Sequence, residues 1–359
     1  MSGSVIEAGS VIEAASRRAA DAAADVDGGT APPLAETLAG YGSLGALGLG
    51  VQRADDDVSD AAELLAAVAG ECMSTAFSLW AQRMVTEYVR ASSLPGRDEL
   101  LAELVSGRLA GSIAMATALQ ESAGLGTVPT VAVPDGEGGY RVSGRIAWAS
   151  NIAPGTLVIL PARVDDERVL VAVRVGAEGF TTRPVEGLLA LDATRSAMLM
   201  LDDVHVESDA VLATSLQAAA DQRATHYLLQ TALCLGLARR ALAEAAARLE
   251  GGNSVLAGFQ RRLEDEHRQL SGELRLAASA VSATDAHAVT RLRFDAARLA
   301  QAATGQEAAL TGGRGYLTAS ATNRRLREAA FLPVQTPSEV QLLRELEQFG
   351  DHPADYYSI

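Results

Sequence analysis

Hydrophobic positions change their period twice along the chain. From near the start to about residue 110, apolar residues recur at three- and four-residue spacing. This is clearest over 33–48, 58–71 and 72–92, and it predicts amphipathic helices. Pro95-Gly96 marks a turn, and a further helix is expected over about 97–108. Residues 3–8 and 9–14 both read GSVIEA. Six residues are too few for a solenoid unit, so the duplication reads as an extended helical N-terminus. Near residue 112 the texture changes. Short β-branched runs broken by Gly, Pro and Asp appear at 128–133, 139–147, 157–163, 168–175 and 196–206, and they predict a compact all-β unit. From about 216 helical spacing returns over 216–250, 257–283 and 285–310, where most polar positions read as solvated faces. Helices, then strands, then longer helices indicate segregated layers and not a βαβ alternation. Three units are expected: a helical N-terminal domain (1–111), a central β domain (112–215) and a C-terminal helical bundle (216–359).

Composition narrows the chemistry. The 359 residues carry a formal net charge of −15, an unfavourable balance for a nucleic-acid partner. There is no lysine, so all 30 basic residues are arginine. Arginine stays charged, which closes Schiff-base mechanisms and the phosphate-binding loop ending in GK[ST]. Cys72 and Cys234 lie far apart in apolar helical surroundings and read as buried reduced thiols. Neither CxxC nor HExxH occurs, so no metal site is expected. The N-terminus lacks a basic region followed by an apolar stretch, and no run reaches the ~18 apolar residues of a membrane span. The expectation is a cytoplasmic protein with a small-molecule substrate, no nucleic acid and no membrane.

Motifs for nucleophilic catalysis are missing. No G-x-S-x-G elbow occurs, and Ser, His and Asp are too scattered for a triad. The glycines of GALGLG (45–50) follow a helix-like stretch and not a strand, which argues against a dinucleotide loop. Asp165/Asp166 and Asp202/Asp203 sit where solvated turn or strand-end residues are expected.

Two stretches carry a resemblance. Gly139-Tyr140-Arg141-Val142-Ser143-Gly144-Arg145-Ile146-Ala147-Trp148-Ala149-Ser150-Asn151 resembles the "G-x-Y-x-(I/L)-x-G-x-K-x-W-I-T-N" strand pair of the acyl-CoA dehydrogenases, with arginine for lysine. Thr311-Gly312-Gly313-Arg314-Gly315-Tyr316, followed by Arg324, Arg325 and Arg327, is similar to that family's "GG-x-GY…R-x-x-RD" segment. Leu201-Asp202-Asp203-Val204-His205-Val206 and Gly236-Leu237-Ala238-Arg239-Arg240-Ala241-Leu242 resemble its "FDDVRVP" strand and "GLA-x-x-AL" helix. The four occur in the family's order over about 60–359.

The resemblance implies an α+β multidomain fold with a helical N-terminal domain, a central β-barrel-like domain and a C-terminal four-helix bundle. It also implies FAD between the last two, and a tetramer. Family members take a proton from the carbon α to a thioester while a hydride leaves the β carbon for the flavin. Position by position, Trp148 corresponds to the flavin-flanking tryptophan and Ser150 to the hydroxyl at the flavin N5 edge. Thr117 matches the Thr of a "TEPGAGSD" loop that is otherwise poorly kept, and Gly312 and Gly313 fall in a cofactor-binding segment. Taken alone, Trp148 reads as a core residue and Ser150 as a strand-end turn.

Departures from the pattern limit the transfer. The family's catalytic Glu falls on Gln335 when Ser338-Glu339-Val340-Gln341 is matched to "SEIQ", or on Thr336 in an ungapped alignment from Arg327. Neither accepts a proton at neutral pH. Glu339 should lie on the following helix, facing elsewhere. Some branches place the base on the first helix of the C-terminal domain, at or near His226, which would make this histidine the substitute base. A helix histidine in a core or interface is the competing reading. The "R-x-x-FG" segment is absent from 253–260, and Ala309 or a neighbour replaces the Gln before the glycine pair. Weak or altered FAD binding is expected, or FMN in its place. Three activities follow. One is an acyl-CoA dehydrogenase-like enzyme with a relocated base, acting on an acyl thioester such as an acyl-CoA. The second is a monooxygenase of the same fold using reduced flavin, similar to dibenzothiophene monooxygenase. The third is a non-catalytic subunit of a hetero-oligomer with an intact paralogue; the first two imply a homotetramer or homodimer.

Overall fold

The computed structural model describes residues 2–53 and 56–352, with side chains from Ala8 onward. The last seven residues of the expected C-terminal unit, 353–359, lie outside these. The N-terminal helices are α1 (Ser2–Asp27), α2 (Leu34–Ser43), α3 (Ser59–Glu71), α4 (Met73–Ala91) and α5 (Arg97–Ser106). Along α1 the buried residues Ala8, Ile12, Ala15, Ala19 and Ala23 recur every three or four positions. This face of mostly small residues packs against α3. Helix α4 is different, being buried on every side from Met73 to Val89. Most of its polar groups are paired, Trp80 Nε1 being an exception. The Gln82 amide donates to the carbonyls of Leu104 and Leu109, and its oxygen accepts from the N–H of Gly111, all within 2.9 Å. One side chain thus ties the end of α5 to the first strand.

That strand, β1 (Gly111–Ile113), is followed by α6 (Ala116–Ser122). Then come β2 (Val131–Pro134), β3 (Tyr140–Ala149), β4 (Leu157–Val164), β5 (Glu167–Arg174), β6 (Phe180–Pro184), β7 (Ala197–Val206) and β8 (Val211–Ala213). They form one mixed sheet in the order β6-β7-β3-β2-β4-β5-β8, with β1 pairing β4 in parallel. The sheet curls until β5 contacts β7, with which it is not paired. Val142, Ile146, Val158, Leu160, Val171 and Leu199 fill the inside of the curl. The opposite face of β4 and β5, with Leu157, Ile159, Leu170 and Ala172, joins the helical core. Burial on both faces explains the unbroken apolar run LVILPA, where a one-faced strand would alternate.

The C-terminal elements are α7 (Gln217–Asp221), α8 (Arg223–Ala246), α9 (Ala257–Ala278), α10 (Ala286–Thr311), α11 (Ala321–Ala329) and α12 (Glu339–Gln348). The stretch 216–250 is thus two helices, and the expected all-β stretch contains α6. Helix α8 lies between α3, α9 and α10. A Cβ built at Gly236 would overlap the Ala66 carbonyl of α3, so α3 and α8 cross at a separation only glycine permits. Not all polar positions here are solvated: Gln230, Arg293, Gln306 and Glu307 are buried, because α8 and α10 are enclosed on several sides. No helix among the described residues is long and apolar enough to cross a membrane.

Candidate functional site

Strand β3 carries the first group of candidate residues at its end. Trp148 is 57% exposed and is therefore not a core residue. The Ser150 hydroxyl lies 2.9 Å from that of Ser196, which lies 3.0 Å from the Thr194 hydroxyl. Asn151, next along, is fully buried with φ of 61°, a left-handed conformation that Asn tolerates better than most residues. Its amide donates to the carbonyls of Ser78 on α4 (2.8 Å) and Gly111 on β1 (3.1 Å). Its backbone N–H donates to Thr194 O. Asn151 thereby fixes the end of β3, and with it Trp148 and Ser150, against the helices. Sequence reasoning quoted Asn151 in the motif without seeing this part. Thr117 lies on α6, and its buried hydroxyl has no hydrogen-bond partner. Gly312 and Gly313 begin the turn after α10, where added Cβ atoms would meet nothing.

The second group centres on α8. His226 is 4% exposed, and its ring stands edge-on to Trp80 of α4, centroids 4.9 Å apart. The Gln230 amide nitrogen donates to Thr336 O at 2.9 Å and lies 3.0 Å from His226 Nε2. Gln230 Oε1 accepts from Arg293 Nε at 3.2 Å, which places the amide NH2 toward the imidazole. Nε2 is then the acceptor, and the ring proton sits on Nδ1. Arg293, wholly buried on α10, also donates from Nη2 to Gln335 Oε1 at 3.3 Å. His226, Gln335 and Thr336, the three positions considered for a base, therefore converge through Gln230 and Arg293. The sequence did not single out these two connectors: Gln230 is a polar residue inside the apolar run YLLQTAL, whereas Arg293 stands among other charged residues in RLRFDAA.

The electrostatics of this cluster are unusual. Burial pushes the His226 imidazole down to about 3, and the charges of Arg293 and Arg223 add to that against a hydrogen bond with the Thr336 backbone. Its lone pair is engaged by Gln230. Arg293 forms no ion pair among the described residues, and its Nη1, like Gln335 Nε2, is a buried donor without an acceptor. A nearby carboxylate, Glu345 of α12, is occupied by Tyr227, Arg223 and Gln341 at 2.6–3.0 Å. Gln341 also donates to Leu119 O, which joins this cluster to α6 and the turn bearing Thr117. Glu339 is the first residue of α12 and pairs with Arg298 at 3.3 Å. Chemically, the cluster offers spare donors and no free carboxylate, an arrangement that stabilises negative charge.

No protein-family model matches the sequence, and no curated protein matches it. Solved structures do match its fold. A glutaryl-coenzyme A dehydrogenase in complex with glutaryl-CoA superposes with a TM-score of 0.87 at 16% identity, covering 99% of this chain and 97% of the other. Butyryl-CoA dehydrogenase from Megasphaera elsdenii gives 0.84 at 17% identity, covering 97% and 98%. FkbI, described as serving biosynthesis of the methoxymalonyl extender unit of the polyketide Fk520, gives 0.81 at 22% identity, covering 94% and 98%. From α1 to α12 the chain has the acyl-CoA dehydrogenase fold.

Proposed function

We propose that this chain is a flavin-dependent oxidoreductase acting on an acyl thioester. The observation that carries this reading is the convergence of Gln335, Thr336 and His226 on the buried Arg293–Gln230 pair, in a fold whose solved relatives include acyl-CoA dehydrogenases. Residues fit for a flavin are present: the exposed face of Trp148, the Ser150 hydroxyl and the unpartnered Thr117 hydroxyl. When bound, flavin supplies a two-electron acceptor. Trp148 would flank it and Ser150 would hydrogen-bond its edge, while Gly312 and Gly313 leave room for the backbone to approach an adenosine end. Arg293 Nη1 and Gln335 Nε2 would hold negative charge on the substrate, and His226 would take the proton, which requires its hydrogen bond with Gln230 to open. Homotetramer or homodimer assembly belongs to the same proposal, supported by Val255, Phe259 and Leu276, apolar and exposed on and just before α9.

A second reading, a monooxygenase using reduced flavin, is favoured by His226 itself. An imidazole held near 3 with its lone pair engaged is a weak base, and such chemistry needs no α-proton base. One experiment separates them: anaerobic mixing of flavin-loaded protein with a panel of acyl-CoA thioesters. Loss of the visible flavin band is expected for the dehydrogenase, and His226→Ala should abolish it with flavin still bound. No bleaching, with thioester-dependent oxygen uptake when reduced flavin is supplied, would replace the first reading by the second. Silence in both assays would contradict each and leave the non-catalytic subunit.

A further inference from the structure

Beside the Gly312-Gly313 turn and far along the chain from Trp148, a cavity of about 450 Å³ opens between α1, the C-terminal ends of α8 and α10, and the start of α11. Arg240, Arg248, Arg314, Arg324 and Arg325 line it, together with Glu71 and Glu244. In a chain of net charge −15, this concentration of guanidinium groups stands out. The arginines are held from beside and behind. Glu307, fully buried, binds the Arg325 Nε at 2.8 Å. Arg324 donates to the carbonyl of Glu71 at 2.7 Å, and Arg240 and Arg248 each pair with Glu244. Such pairing cuts the side-chain entropy that a ligand would otherwise have to overcome. Counting the acids behind the wall, Glu307 and Glu328, the five arginines keep a surplus of one positive charge. Burial pushes Glu328 up to about 7, which enlarges that surplus near neutrality.

Arg314 has no ion pair among the described residues, and the buried Nε of Arg324 makes no hydrogen bond although Glu328 lies 3.6 Å away. Helix α11 starts on the cavity wall after its N-cap Ser320, whose hydroxyl accepts from the Asn323 N–H, while the N–H groups of Ala321 and Thr322 lack helical acceptors at the positive end of the dipole. Alanines 20, 23 and 24 of α1 form the opposite wall and leave the space unfilled. A guanidinium fork matches the oxygens of a phosphate better than any other common anion-binding group.

We propose that this cavity is a binding site for a phosphorylated ligand up to nucleotide size, held through its phosphate oxygens by Arg248, Arg314 and Arg324. Thr311 and Arg314 flank the Gly312-Gly313 pair, but the cavity's other walls, α1 and the end of α8, have no part in the flavin reading, and the test uses no flavin. Isothermal titration of the full chain with inorganic pyrophosphate, ADP and adenosine is the experiment. Pyrophosphate and ADP should bind, weakening as salt is raised, and adenosine should not. Equal affinity for the first two assigns the site to the phosphates alone. At least tenfold tighter ADP assigns it to a nucleotide. Arg314→Gln, an exposed position, should weaken binding several-fold, and Arg248→Gln with Arg314→Gln at least tenfold, with thermal unfolding confirming folded protein. Absence of binding by both anions, adenosine binding as tightly as ADP, or unaltered affinity in a folded Arg314→Gln variant would overturn the proposal.

Discussion

Arg293 is a guanidinium enclosed by neutral groups. Desolvating an unpaired charge costs several kcal/mol, and its two bonds, to Gln230 and Gln335, return about 1.5–3 kcal/mol each. Nη1 returns nothing. Fold stability alone gives no reason to place a cation there, whereas the negatively charged substrate proposed above would. Arg293→Met removes both the charge and the bonds, so the two effects offset each other to within about 2 kcal/mol. The denaturation midpoint is expected to stay close to that of the parent, while thioester-dependent flavin reduction falls at least 100-fold. A variant that unfolds readily but reduces flavin normally would make Arg293 a structural residue.

Among elements, the crossing of α3 and α8 sets how closely the N-terminal helices approach the C-terminal ones. At Gly236 an alanine would gain up to about 1 kcal/mol in helix propensity. Its Cβ would meet the Ala66 carbonyl, a backbone atom that cannot rotate away. Overpacking costs about 1–3 kcal/mol, so the clash wins and Gly236→Ala should be destabilising. Gly305→Ala, on the exposed side of α10 with nothing near its Cβ, should stabilise by up to about 1 kcal/mol. Urea midpoints of the two variants check both signs, and a shift in the same direction would refute the packing argument. The same scale shows what could be read beforehand. Strands β3, β4, β5 and β7, eight to ten residues long, were legible as β-branched runs bounded by turn residues. The three-residue β1 and β8 and the five-residue β6 are too short to stand out and were missed, as was α6. Gln230 and Arg293 escaped for another reason. On a helix buried on several sides, a polar residue is indistinguishable in sequence from one on a solvated face.

For the whole molecule, the collinear motifs and the fold agree, though identity to the solved relatives stays at 15–22%. The motifs around Trp148 and Gly312 could be recognised because turn geometry and close approach restrict residue choice there. Which residue stands in for the family's glutamate could not be read by inspection, since Gln335, Thr336 and His226 are brought together only by contacts among α8, α10 and the segment before α12. The proposed function rests on a flavin binding at the end of β3. Its most direct test is a visible-absorbance titration with FAD and with FMN, oxidised and reduced, on the parent chain and on Trp148→Ala and Ser150→Ala. The account predicts a bound flavin spectrum for the parent and at least several-fold weaker binding in both variants. No uptake of either flavin in either redox state, or superimposable curves for all three proteins, would contradict it.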